Sequence, residues 1–417
     1  MSNGVINFIS MGKSRVLYIS YDGLTDPLGQ SQVLPYLSQL SRLNYEITVL
    51  SVEKEDNFFK SKDEIKKICS DSSIKWECIT YTKTPPVLST MKDVSKLKKK
   101  ARALYKSHTF NIVHCRSYVA ALVGLFLKKR FGVKMIFDMR GFWADERVDG
   151  GLWNLKVPIF KWVYNFFKRK EKMYLLKADA TISLTYNGKN EICSWSYYSR
   201  DPDDITVIPC CADLSHFDFR KSYNLDKTKS DLGIPVDNVV ICYLGSIGTW
   251  YMMEEMLDYF KLHLVKFPNS TFLWITKDDP KQILKEATER DIVDYIKILP
   301  TERTELPNIL SIVDASIFFI KPLFSKKASS PTKMAELLGM GIPLICNSNV
   351  GDTDEIVKKE KVGVVVDMFN IQAYDQAINS FNGLMKTPKE KLRDVAQKYF
   401  SLEGGVEKYE EVYKKLS

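Results

Sequence analysis

Short apolar runs rich in β-branched and aromatic residues recur along the chain, each stopped by glycine, proline or charge and followed by helical spacing. Residues 15–20 (RVLYIS) and 47–52 (ITVLSV) predict buried strands, because successive apolar side chains leave neither face for water. Between them a glycine-bearing loop, 21–32, leads into an apolar-periodic helix, 33–43. The pattern continues with strands at 74–79, 112–115, 133–138, 180–184 and 205–209, and helices at 92–107, 120–129 and 156–177. A polar, lysine-rich stretch to Asp231 interrupts it. Strands then resume at 238–244, 271–276, 296–300, 315–320, 342–346 and 362–366, and a helix closes the chain at 399–416. Strands alternating with helices predict an α/β protein with parallel sheets, and the restart predicts two Rossmann-like halves.

Residues 321–355 carry the densest chemistry. The strand 315–320 is ended by Lys321-Pro322, and Ser329-Ser330-Pro331 reads as a helix start, with a hydroxyl as N-cap and proline in the first turn. The helix runs through Thr332 and stops at Gly339 and Gly341 before the next strand. Free amides and the helix dipole at such a start favour an anion. Lys333 in that first turn opposes the dipole, so a bound anion would relieve it, and Lys321, Lys326 and Lys327 flank the same place. Glu336 lies one turn on, where a carboxylate suits the paired hydroxyls of a ribose. The alternative is an ordinary capped helix with solvated lysines.

The segment from Ser330 through Glu336-Leu337-Leu338-Gly339-Met340-Gly341-Ile342-Pro343 resembles the donor-nucleotide site of GT-B glycosyltransferases, particularly glycosyltransferase family 4. The resemblance implies α/β halves facing across a cleft in the GT-B manner, with residues 1–217 binding the acceptor and 218–398 the donor, and the helix 399–417 packing back on the first. It implies that Glu336 holds the ribose, while Lys333, Lys321, Ser330 and Thr332 meet the diphosphate. A second glutamate that relatives carry eight positions earlier is Ala328 here. After the strand 238–244, relatives have Gly-Arg and a lysine, whereas this chain has Gly245-Ser246, which leaves the backbone at Ser246 to reach the phosphates. Gly29, after the first strand, matches a glycine that relatives press against donor or acceptor; a plain turn glycine fits equally. Asp138 ends the strand 133–138 at the position where relatives place a catalytic histidine or acid, with Arg140, Asp145 and Glu146 following. These four charges also fit a structural ion-pair cluster. His114, at a strand end, fits either a cleft-facing residue or a satisfied core histidine, and the second is the favoured reading.

Composition changes the picture in a few respects. A chain of 417 residues exceeds one ordinary core. Eight cysteines without a CxxC pair predict free, buried thiols and a reducing, cytoplasmic compartment. A net charge of +9 implies an acidic partner. Residues 156–177 (KVPIFKWVYNFFKRKEKMYLLK) interleave aromatic and basic side chains, which suits either an anionic membrane surface or a core-packed helix with a basic outer face. No recognised nucleic-acid module accompanies the charge. The implied reaction moves a sugar from a nucleoside-diphosphate sugar to a hydroxyl of a lipid-linked or growing saccharide, with no cofactor and no metal. A sugar-nucleotide epimerase of the same fold and a non-enzymatic membrane-binding protein are the alternatives.

Overall fold

The computed structural model describes residues 13–85 and 87–417. Its first seven strands are β1 (Ser14–Ser20), β2 (Tyr45–Glu53), β3 (Lys75–Thr80), β4 (Ile112–Arg116), β5 (Lys134–Asp138), β6 (Ala180–Ser183) and β7 (Ile205–Val207). Six more follow: β8 (Val239–Leu244), β9 (Ser270–Ile275), β10 (Ile296–Leu299), β11 (Ala315–Phe318), β12 (Leu344–Asn347) and β13 (Gly363–Val366). They form two parallel sheets, ordered β3-β2-β1-β4-β5-β6-β7 and β10-β9-β8-β11-β12-β13. The expected α/β class is therefore present, in the doubly wound form that helical crossovers between parallel strands produce.

The chain divides into two compact units. One holds the residues up to Asp138 with Met173–Thr181 and Tyr409–Ser417, the other Met139–Lys172 and Ile182–Lys408. In the first, β1 lies between β2 and β4, and Val16, Ile47 and Ile112, each fully buried, share one register across the three strands. Glu53, at the end of β2, is buried and accepts the amides of Leu24 (2.8 Å) and Thr25 (3.1 Å), which pins the loop after β1. That loop is shorter than expected. Pro27–Gln32 is already helical, with proline in the first turn, and a break at Val33 separates it from the helix Leu34–Arg42. A side chain at Gly29 would place its Cβ 2.1 Å from the Gly23 carbonyl oxygen, so close backbone packing is enough to require glycine there.

In the second unit β8 sits between β9 and β11, and Trp274, Tyr243, Phe272 and Phe260 fill the core around it. Several helices lie where none was expected, among them Glu55–Asp71 and Trp143–Asp149 in polar or short segments without a clear apolar stripe, and Met253–Lys266 and Ile371–Asn379 in the second unit. The closing helix is two: Lys389–Phe400 and Leu402–Leu416, broken at Ser401, whose hydroxyl accepts the Gly404 amide (3.2 Å). All eight cysteines are free, six of them buried, as their scattered placement implied.

Candidate functional site

The helix Thr332–Gly339 begins without the cap expected of it. Its N-cap residue is Pro331 and no side chain accepts from the first turn. Ser330 instead accepts the Cys210 amide (3.1 Å), which corrects its reading as a helix cap and leaves the first amides, at Thr332 and Lys333, without a side-chain partner. The other end is a Schellman motif: the Gly341 amide reaches Leu338 O (3.0 Å), the Ile342 amide reaches Leu337 O (3.0 Å), and Gly341 is left-handed at φ +67°.

Lys333 is 5% exposed, and its Nζ has no hydrogen-bond partner. Aromatic rings surround the ammonium, Tyr251 at 3.9 Å, Tyr243 at 4.4 Å and Phe318 at 5.7 Å from their centroids. Burial lowers its pKa to about 7, with Cys242 and Glu336 opposing that shift. Gly245, at the end of β8, is part of the cage; a Cβ there would come within 2.8 Å of Lys333 Nζ, and its φ of +142° further favours glycine. The strand periodicity that makes Tyr243 core also puts its ring under Lys333, a link invisible without the fold.

Glu336 is buried one turn later, and desolvation raises its pKa. Arg303 counters this with a 2.7 Å hydrogen bond from Nη1 to Oε1, while its guanidinium lies 5.1 Å from the Phe217 ring centroid. Arg303 lies in the loop after β10 and was not among the residues singled out from the sequence. Ser246 is exposed, and its carbonyl accepts the Tyr243 hydroxyl (2.6 Å). The neighbouring Ile247 amide is occupied by the Asp278 carboxylate.

The flanking lysines separate. Lys326 is buried against the Trp250 ring (3.7 Å) and paired with Glu146, and Lys327 pairs with Glu191 (2.9 Å). Lys321 is exposed and is not brought to Lys333 by any contact among the described residues. A cavity of about 340 Å³ opens beside the helix start, lined by Ser330, Pro331, Met334, Thr185, Lys359 and Lys398. It lies on the Met334 side, so it is not the space around Lys333.

In the first unit, Asp138 is fully buried. Its Oδ2 accepts from Tyr409 (3.1 Å) and faces His114 Nε2 (3.4 Å), and His114 Nδ1 meets the Tyr413 hydroxyl (2.8 Å). The tautomer of His114 with its proton on Nε2 suits both partners, donating to Asp138 and accepting from Tyr413. His114 is thus the core histidine its sequence context suggested. In the second unit Arg140 is left-handed at φ +56° and its Nη2 contacts Cys210 Sγ (3.3 Å). Asp145 is engaged by Tyr164 and Lys168 (2.8 Å each), and Glu146 by Lys326, so these two acids do structural duty. Along 152–169, Leu152, Val157, Ile159 and Trp162 are exposed, as are Lys156, Lys161 and Arg169. Among the described residues no helix is long and apolar enough to cross a membrane, and no group of three or more His, Cys, Asp and Glu side chains has metal-ligand proximity.

Two family models match in succession: Glycosyltransferase Family 4 over residues 30–216 and Glycosyl transferases group 1 over residues 225–398. No curated protein matches the chain by sequence. Solved structures share its fold at low identity. Sucrose-phosphate synthase from Thermosynechococcus elongatus is 15% identical, with a TM-score of 0.72 over 97% of this chain and 99% of that one. A glycosyltransferase from Rickettsia africae ESF-5 is 17% identical, with a TM-score of 0.71 over 97% and 98%. Anabaena HepE, solved with UDP and glucose, is 13% identical, with a TM-score of 0.70 over 96% and 99%.

Proposed function

Because the chain belongs to the family 4 GT-B glycosyltransferases, we propose that it moves a hexosyl unit from a nucleoside-diphosphate sugar to a hydroxyl of a lipid-linked or growing saccharide, with retention at the anomeric carbon. Residues 218–398 supply the donor side, and residues 1–217 with the terminal helix the acceptor side. The observation that carries the reading is Lys333, an enclosed ammonium with no hydrogen-bond partner, at an uncapped helix start. A buried cation without a counter-charge costs several kcal/mol, and a diphosphate is the ligand class that would remove the cost.

In the reaction the bond from the anomeric carbon to the diphosphate oxygen breaks and its electron pair leaves with the diphosphate. The acceptor oxygen forms the new bond. Lys333 and the amides of Thr332 and Lys333 receive the developing charge, and preorganised donors of this kind are worth about a hundredfold or more in turnover each. The reading asks for no metal and no cofactor. Glu336, oriented by Arg303, accepts the ribose hydroxyls. Ser246 and Lys321 are assigned to the donor's phosphates, Asp138 to orienting the acceptor or taking its proton, and Arg140 to orienting it. The exposed Trp162, Ile159 and Val157 among Lys156, Lys161 and Arg169 support a peripheral position on the anionic inner face of the membrane, reached from the cytoplasm. HepE's complex with UDP makes a uridine nucleotide the first donor to try.

The experiment is release of nucleoside diphosphate from a panel of sugar nucleotides, with and without saccharide acceptors. Release that depends on acceptor is expected. Conversion of the donor sugar without acceptor would identify an epimerase, and no release with any donor would defeat the reading.

A further inference from the structure

At the carboxyl edge of the first unit's sheet, Arg116 ends β4 in register with Ser20 of β1 on one side and Asp138 of β5 on the other. It is 4% exposed, and neither Nε nor Nη1 donates a hydrogen bond. The Asp22 carboxylate lies 3.7 Å from Nε, beyond hydrogen-bond length, on a side chain that is nearly half exposed. A guanidinium cannot shed its proton as a buried lysine can, so enclosure leaves a full positive charge with Nε and Nη1 unused. A second, independent feature points to the same place. The fifteen-residue helix Ser117–Phe131 starts directly after Arg116, with no side-chain cap and no acidic residue in its first turn. Ser117 makes the strand-to-helix turn in the left-handed region, φ +66°, a strained conformation for a non-glycine residue.

We propose that Arg116 and the start of this helix form an oxyanion site, and that the acceptor carries a phosphoryl or carboxylate group that docks there. A planar guanidinium with free Nε and Nη1 suits bidentate contact with either group, and the helix amides add further donors. The mobile partner is Asp22, exposed enough to turn away when the anion enters. The word acceptor rests on the transferase reading; the anion site does not.

The test uses the whole protein with inorganic phosphate and with glucuronate, read as the shift in melting temperature. Phosphate is also drawn to Lys333, so the titrations include Lys333→Ala. One or both anions should stabilise the parent and Lys333→Ala alike, and the shift should vanish in Arg116→Ala and Arg116→Met. Phosphate alone would mark a phosphoryl group, glucuronate alone a carboxylate. Without ligand, Arg116→Met should melt close to or above the parent, because the only charge paired opposite Arg116 among the described residues is the Asp22 carboxylate, 3.7 Å away on a nearly half-exposed side chain. The proposal is overturned if the shifts persist without Arg116, if neither anion stabilises Lys333→Ala, or if Arg116→Met melts several degrees lower. Failure of the transferase reading would look different: no stabilisation of the parent by UDP, with the Arg116-dependent shift intact.

Discussion

Lys333 and Glu336 bring opposite charges into one buried turn, and each is perturbed in the direction burial dictates. The folded pKa of Lys333, lowered to about 7, lies below its unfolded value, so folding releases a proton between that pH and the ordinary lysine range. Its contribution to stability therefore rises with pH across this window, and Lys333→Met should remove that slope in denaturant unfolding followed from pH 6 to 10. A bound diphosphate pulls the pKa back up. UDP binding at pH 8 should therefore take up close to one proton, seen by titration calorimetry in buffers of different ionisation heat, and affinity should fall by up to tenfold per pH unit above 7. For Glu336, the ribose assignment predicts that Glu336→Gln loses on the order of tenfold or more in UDP affinity. The same change should cost little for a deoxyribose analogue, and an equal loss for both would remove the assignment. The residue types at these positions were legible in the sequence. Their surroundings were not, since Tyr243, Tyr251 and Arg303 come from segments 30 to 90 positions away.

Among the elements, the helix Thr332–Gly339 shows how far local grammar goes. Its stop was readable, because Gly341 supplies the left-handed residue a Schellman end requires. Its start was misread: a serine before a proline looks like a cap, but the Ser330 hydroxyl is drawn to Cys210, a tertiary partner no local pattern contains. Gly341→Ala should cost roughly 1–3 kcal/mol in denaturant unfolding, since its Cβ would also lie 2.7 Å from Lys389 Cβ. A neutral result would mean that the turn relaxes. The two sheets were legible because buried parallel strands are apolar on both faces; the polar helix Glu55–Asp71 left no comparable stripe.

For the whole molecule, alternation of strand and helix was enough to foresee the α/β class, and the Ser330 to Glu336 segment to foresee the family. What pattern alone withheld was the fate of individual charges. Of four lysines near the helix start, two are tied in ion pairs, one is exposed and only Lys333 is enclosed without a partner. The basic, aromatic face around Trp162 should sediment with vesicles containing anionic lipid, and Trp162→Glu with Lys161→Glu should abolish this without altering UDP binding. If the chain's own Lys333 and helix amides carry the diphosphate's charge, as proposed, turnover with an identified donor should survive chelators; loss of turnover on chelation would contradict that part of the proposal. The most direct test remains UDP titrated into the parent and into Lys333→Met. The account predicts measurable binding to the parent and a loss on the order of a hundredfold in affinity for the variant; equal binding to both, with both folded, would contradict it.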